Sequence, residues 1–260
     1  MSRMNLTSSG LCVIATFAVT ACASGGQNLE PAKSANDVPG LDRAAEATDN
    51  EVQVIAQTAE WPGEARITEK VSPVRVRITN GSDQPVHIRY GHFQLVANDG
   101  EVFAAIPPLA TRGEVTTNVT PERLTPRFTY TGFSIAPYYV YSYPGITVYD
   151  GPFAYDRAYY EMYYPAISRE NLPTPEMLAW ALPEGVVASG GYVDGYLYFQ
   201  RVPSDKQLVR FRAVMTSDDT QRNAATAQTQ NPSSAAQPQA ARKLDRETEV
   251  ACVSIPFRVD

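Results

Sequence analysis

The stretch "SPVRVRITNGSDQPVHIRYGHFQLVANDGEVFAAIPP" (residues 72–108) sets Val74, Val76 and Ile78 against Arg75, Arg77 and Thr79. A period of two with one polar face is the pattern of a half-buried antiparallel strand, and no helix can collect those residues on one side. The chain then turns at Asn80-Gly81. Beyond the turn Val86, Ile88 and Tyr90 share one parity, whereas Phe93 and Leu95 take the other. One extra residue near Gly91-His92, in a β-bulge, would return the apolar set to the inner face. Asn98–Gly100 ("NDG") predicts a tight hairpin into "EVFAAI".

Further along, "GGYVDGYLYFQRVP", "KQLVRFRAVMTS" and "EVACVSIPFRVD" repeat the pattern. Their inward sets are Val193, Leu197 and Phe199; then Val209, Phe211, Ala213 and Met215; then Ala251, Val253, Ile255 and Phe257. Adding "EVQVIAQTA" gives about seven strands with turn signals between them. The expectation is a mainly β chain, an immunoglobulin-like antiparallel β-sandwich with one short helix. The helix is predicted at residues 174–182, where Thr174 is a good N-cap, Pro175 fits the first helical position, and Pro183 and Gly185 end the element. Met177, Leu178, Ala181 and Leu182 supply its apolar stripe.

The chain start, "MSRMNLTSSGLCVIATFAVTACASGG", has a basic residue at Arg3 and an apolar run from Leu11 to Val19, followed by small residues. That is the make-up of an export signal, and the run is too short to span a bilayer. Within it "VTAC" (Val19 to Cys22) resembles the lipobox of bacterial lipoproteins. The resemblance implies removal of residues 1–21 and acylation of Cys22, with the membrane as partner through the N-terminal lipid. Ala23, where an aspartate would retain the protein at the inner membrane, implies an outer-membrane address facing the periplasm or the cell surface. Two or three acyl chains make such anchoring stable.

Residues 22–49, poor in aromatic and β-branched side chains, are expected to form a flexible tether. Residues 217–243 have the same character, but apolar alternation resumes after them, so they are expected as a disordered loop inside a single domain covering 50–260. Of three cysteines, Cys12 falls in the signal and Cys22 carries lipid, which leaves Cys252 without a disulfide partner and most simply a small buried hydrophobe. The stretch from Ala181 to Pro203, "ALPEGVVASGGYVDGYLYFQRVP", resembles a pattern of exported bacterial lipoproteins. It implies a sandwich strand following a helix and carries no catalytic residues.

Few residues suggest chemistry. The net charge of −6, with acidic and basic residues scattered, argues against nucleic acid as a partner. His87 and His92 lack the further ligands a metal needs and are expected as exposed strand residues, so no metal and no cofactor is assigned. There is no Gly-x-Ser-x-Gly elbow and no phosphate-binding glycine loop. Asp150, Asp156 and Glu161 sit among aromatics and leave open an envelope glycan or peptidoglycan hydrolase, although nothing in the sequence fixes their separation.

What stands out is tyrosine: eleven of the chain's fifteen lie between Tyr130 and Tyr164, inside an insertion at residues 107–173. Prolines and glycines cut this tract into short pieces, which disfavours cross-β stacking. Tyr155, Tyr159 and Tyr163 fall at helical spacing beside Met162 and suit a buried stripe. Tyr138, Tyr139, Tyr141, Tyr143 and Tyr149 lack that spacing and are the candidate contacts for an envelope protein or glycan. The expected function is a non-enzymatic binding or structural module; an assembly or secretion accessory that pairs an exposed sheet edge with a client strand is the third reading.

Overall fold

The computed structural model describes residues 29–59, 61–63, 66–107, 125–153, 175–218 and 247–259. Within them the chain is mainly β and antiparallel, as the alternation predicts. Twelve strands, rather than about seven, form one hydrogen-bonded sheet: β1 (Leu29–Pro31), β2 (Asn36–Asp37), β3 (Ala44–Asp49), β4 (Val52–Gln57), β5 (Val71–Asn80), β6 (Val86–Ile88), β7 (Phe93–Ala97), β8 (Val102–Ile106), β9 (Thr129–Ile135), β10 (Gly185–Gln200), β11 (Leu208–Asp218) and β12 (Glu247–Val259). Two short helices, α1 (Arg66–Lys70) and α2 (Pro175–Trp180), accompany them. The second coincides with the helix expected at 174–182.

The sheet runs β1-β12-β11-β7-β8-β10-β5-β4-β3-β2, with β6 bridging β10 and β11 and β9 lying along β10. It curls until its two sides meet. The Asn50 Nδ2 donates to the Val250 carbonyl at 2.8 Å, the Cys252 amide donates to Asp49 Oδ2 at 2.8 Å, and the Thr58 hydroxyl donates to the Leu29 carbonyl. These bonds join β3 and β4 to β12 and β1 without a backbone ladder, which gives a sandwich-like closed core. Among the described residues the sheet has free edges at β9, which pairs only with β10, and at β1 and β2, which are three and two residues long, with β1 ending at Pro31. Short, proline-ended edges resist pairing with other chains.

All of the inward residues named from the alternation are buried, including Val74, Val76, Ile78, Val193, Leu197, Phe199, Phe211 and Phe257. From Val193 to Phe199, β10 is buried on both faces. Val193, Leu197 and Phe199 enter the main core, while Tyr196 and Tyr198 pack under α2 with Trp61, Ile67, Val71, Ile106, Met177 and Ala181. Each fully buried side chain of this size contributes roughly 1.5–3 kcal/mol through the area it removes from water.

Two local devices differ from expectation. The parity switch at Gly91-His92 is made by a 3-10 turn, Tyr90–His92, in place of a bulge; it ends β6 and restarts β7 with Phe93 and Leu95 inward. The Asn80 turn does not close a hairpin, because β5 and β6 both pair with β10, one after the other. Asn80 shapes the jog between them. Its side chain donates to the carbonyls of Gln84 (2.7 Å) and Val187 (3.0 Å) and accepts from the Ser82 amide at 3.0 Å. The predicted "NDG" hairpin forms, with Gly100 at φ +88° and the Ala97 amide donating to the Glu101 carbonyl at 2.8 Å.

The tether expected at residues 22–49 is corrected for residues 29–49, which form β1, β2 and β3. Composition misled because alanine and glutamate have low strand propensity, yet Leu29, Ala44 and Ala45 are buried in the core. The loop expected at 217–243 lies outside the described residues, except that Ser217 and Asp218 belong to β11. If residue 29 is part of the core, Leu29→Ala should lower unfolding stability by about 3 kcal/mol. A change within error in urea unfolding would mark it as tether after all.

Candidate functional site

β9 pairs with β10, and Gly132 at φ +60° lets it pass within 3.2 Å of Gly191 Cα, measured from the Cβ position that any larger residue would fill. The chain then leaves the sheet in a 3-10 turn, Pro137–Tyr139, whose proline takes the first position. It returns at once: the Ile135 amide donates to the Thr147 carbonyl at 2.8 Å, and the Tyr149 amide donates to the Ile135 carbonyl at 2.9 Å. Residues 136–148 thus form a compact loop closed on Ile135, with Gly145 at φ +92° making its sharp turn.

Glu184 holds this loop down. It is 3% exposed, immediately before β10, and its two oxygens are fully engaged. Oε1 accepts from the Tyr90 amide at 2.9 Å; Oε2 accepts from the hydroxyls of Tyr139, at 3.0 Å, and of Tyr138. A buried carboxylate is costly unless hydrogen-bonded, and three donors from two segments offset that cost.

A second set of phenols caps α2. The last carbonyls of a helix have no partner inside it. Here the Tyr143 hydroxyl donates to Leu178 O and the Arg127 amide to Ala179 O, both at 2.7 Å; the Tyr198 hydroxyl adds a second donor, at 3.0 Å, to Met177 O, which also accepts from the Ala181 amide, and the Tyr90 hydroxyl donates at 2.7 Å to Leu182 O, two residues past the helix. Burial, reinforced by neighbouring Tyr143, Glu184, Tyr198 and Tyr138, pushes the Tyr90 phenol well above its ordinary value; burial followed by Tyr143, Tyr196 and Glu176 does the same for Tyr198. Both therefore stay protonated and donate.

The five candidate tyrosines accordingly divide. Tyr139 and Tyr143 are buried, with hydroxyls committed to Glu184 and Leu178, so their assignment as partner contacts is corrected. Their rings fill the space between loop, helix and sheet, where Tyr143 meets Phe128 edge-on at 5.4 Å. Tyr138 is 38% exposed and Tyr141 is 82% exposed. Tyr149 is half-buried against His87, at 5.8 Å between centroids. His87 is itself buried and stacked on Phe153 at 5.6 Å, which corrects its placement as an exposed residue; the rings of Tyr149 and Phe153, just past the loop, pack against it. His92 is half-buried in the 3-10 turn.

Asp150 is exposed, and its proposed companions Asp156 and Glu161 lie outside the described residues, as do Cys22 and the Tyr155, Tyr159 and Tyr163 stripe. Among the described residues no three His, Cys, Asp or Glu side chains are grouped closely enough to hold a metal ion. Nor, among the described residues, is any helix long and apolar enough to cross a membrane. Cys252 is partly buried, consistent with a packing role.

Sequence reasoning missed Glu184. It is a single acid in "LPEGVV", and its donors lie 45, 46 and 94 residues away. The local signal was an acid set between Leu182 and Val186, both of which are core residues. Asp194 was missed for the same reason: it is 8% exposed and binds Arg75 in a two-pronged pair of 2.8 and 3.1 Å across the β5–β10 ladder.

Comparison with models of known protein families, with curated proteins and with solved structures finds no match to this chain.

Glu184→Ala removes the acceptor of three buried or half-buried donors and should cost about 3 kcal/mol. Urea unfolding of the variant checks this, and a loss comparable to a surface substitution would separate Glu184 from the support of the loop. Raised phenol values also fix the sign of the alkaline response. Below the unfolded value of 10.0 both states hold the Tyr90 and Tyr198 protons; above it only the unfolded state releases them, so stability should fall as pH rises past 10. Tyr198→Phe should flatten that decline, measured as thermal midpoint against pH.

Proposed function

We propose that this chain is a lipid-anchored lipoprotein of the bacterial envelope, addressed to the outer membrane, whose sandwich serves as a non-enzymatic binding or structural module. The lipobox-like "VTAC" supports the anchor at Cys22. The observation that carries the binding role is Tyr141, 82% exposed on a loop tied at both ends to Ile135 and locked from beneath by Glu184, Tyr139 and Tyr143. An exposed aromatic ring on a rigid support offers contact area at little entropic cost, which suits an envelope protein or a glycan. Tyr138 and the half-buried Tyr149 flank it. The edge-pairing accessory has a narrower footing, since β1 and β2 are too short to template a strand and β9 offers an open edge only ahead of Ile135, which is bonded to residues 147 and 149.

Labelling cells with radioactive palmitate should mark the wild-type protein and leave Cys22→Ala unlabelled; label persisting on the variant would remove the anchor. Photo-crosslinking from position 141 in intact cells should then capture one defined partner. A Tyr141→Ala variant should weaken that association at least about tenfold without moving the unfolding midpoint, as loss of aromatic anchors does at other interfaces.

A further inference from the structure

We infer that the folded unit stands on the lipid surface by one end of its strands, close to the bilayer, and holds Tyr138 and Tyr141 at the opposite end. This rests on the proposed acylation of Cys22 and adds reach and orientation to it.

Reach follows from how few residues separate Cys22 from Leu29. Leu29 is buried, pairs with Val259 in the β1–β12 ladder and has its carbonyl bound by Thr58. It lies seven residues after Cys22. A trans peptide advances the chain by no more than about 3.6 Å per residue, so Leu29 stays within about 25 Å of the acylated cysteine whatever path the intervening residues take. A tether reaching to residue 50 would have allowed roughly 100 Å by the same arithmetic.

Orientation follows from the registers. Leu29 neighbours the C-terminal end of β12, whose Arg258 faces Leu208 at the start of β11. Thr58 ends β4; Gln57 faces Ala44 at the start of β3 and Arg75 near the start of β5, and Val71 faces Gln200 at the end of β10. All of these mark one end of the sandwich. The turn between β2 and β3 projects there, with Leu41 at its tip, 43% exposed. Lys33, Asp37, Asp42 and Arg43 around it carry both signs, so the short chain and the apolar tip, rather than attraction to anionic headgroups, hold this end to lipid.

The other end of β10 is Gly185, which pairs with Ile135 and Ile88, and beside it Glu184 holds the tyrosine loop. At about 3.3 Å per residue, less the irregularity between Val187 and Tyr192, the length of β10 separates the two ends by roughly 40 Å. The exposed tyrosines thus face away from the membrane that carries the anchor, toward partners standing off its surface.

The test uses the full chain, purified from cells and reconstituted in vesicles of phosphatidylethanolamine and phosphatidylglycerol containing a spin-labelled phospholipid. Leu41→Cys and Tyr141→Cys, each combined with Cys252→Ser, carry a fluorophore, and intact mass reports whether Cys22 is acylated. Quenching should be at least about threefold stronger at position 41 than at 141, given their separation. Inserting about twenty Gly and Ser residues between positions 25 and 26 should reduce quenching at 41. With Cys22 acylated, equal quenching at both positions, stronger quenching at 141, or no response to the insertion overturns the orientation alone. A mass without acyl chains overturns the lipoprotein reading, and the orientation with it.

Discussion

The double burial of β10 is the constraint on which the rest of the molecule depends. A stretch that meets water on neither face must have a layer on each, and from Val193 to Phe199 β10 has the curled sheet on one side and α2, Trp61 and Ile106 on the other. It also pairs along its length with β5, β6, β8 and β9, so it joins both halves of the sandwich. The alternation of Val193, Leu197 and Phe199 with Tyr196 and Tyr198 suits the two sides: plain hydrocarbon faces the core, and rings with a hydroxyl face the layer where a helix terminus needs donors.

That division explains why tyrosine rather than phenylalanine is used so heavily around α2. A six-residue helix cannot satisfy its own last carbonyls, and burying them bare would cost more than so short a helix contributes. Phenol groups from β10 and from the loop after β9 donate to helix carbonyls while their rings fill space, and Tyr90 in the 3-10 turn after β6 does the same for Leu182 just past the helix. Glu184 reverses the arrangement, since there a buried acceptor gathers donors. Together the two sets of bonds turn a loop rich in glycine and proline into a fixed platform, which is the condition for Tyr141 to act as a preorganised contact.

Much of the fold was legible. The period-two runs placed the inward faces of β5, β7, β10, β11 and β12 residue by residue, because a one-residue slip would move a whole apolar set into water. The helix was legible from Pro175, its apolar stripe and Pro183. Residues 29–49 were not, because small side chains such as Ala44 and Ala45 have no pattern that distinguishes core from solvent. The candidate site was half legible. Composition identified the tyrosine tract, yet could not divide Tyr139 and Tyr143 from Tyr138 and Tyr141, since neighbours in a loop have no fixed periodicity.

By itself, then, the sequence determined the inward faces of β5, β7, β10, β11 and β12, the helix at Pro175 and the Asn98–Gly100 hairpin, all of which depend on residues a few positions apart. Tertiary structure alone decided which tyrosines are buried, that Glu184 is their common acceptor, and that β1 closes on β12 across nearly the whole chain. Those outcomes depend on donors and acceptors far apart in sequence, whose meeting is fixed only when the sheet curls and its layers close.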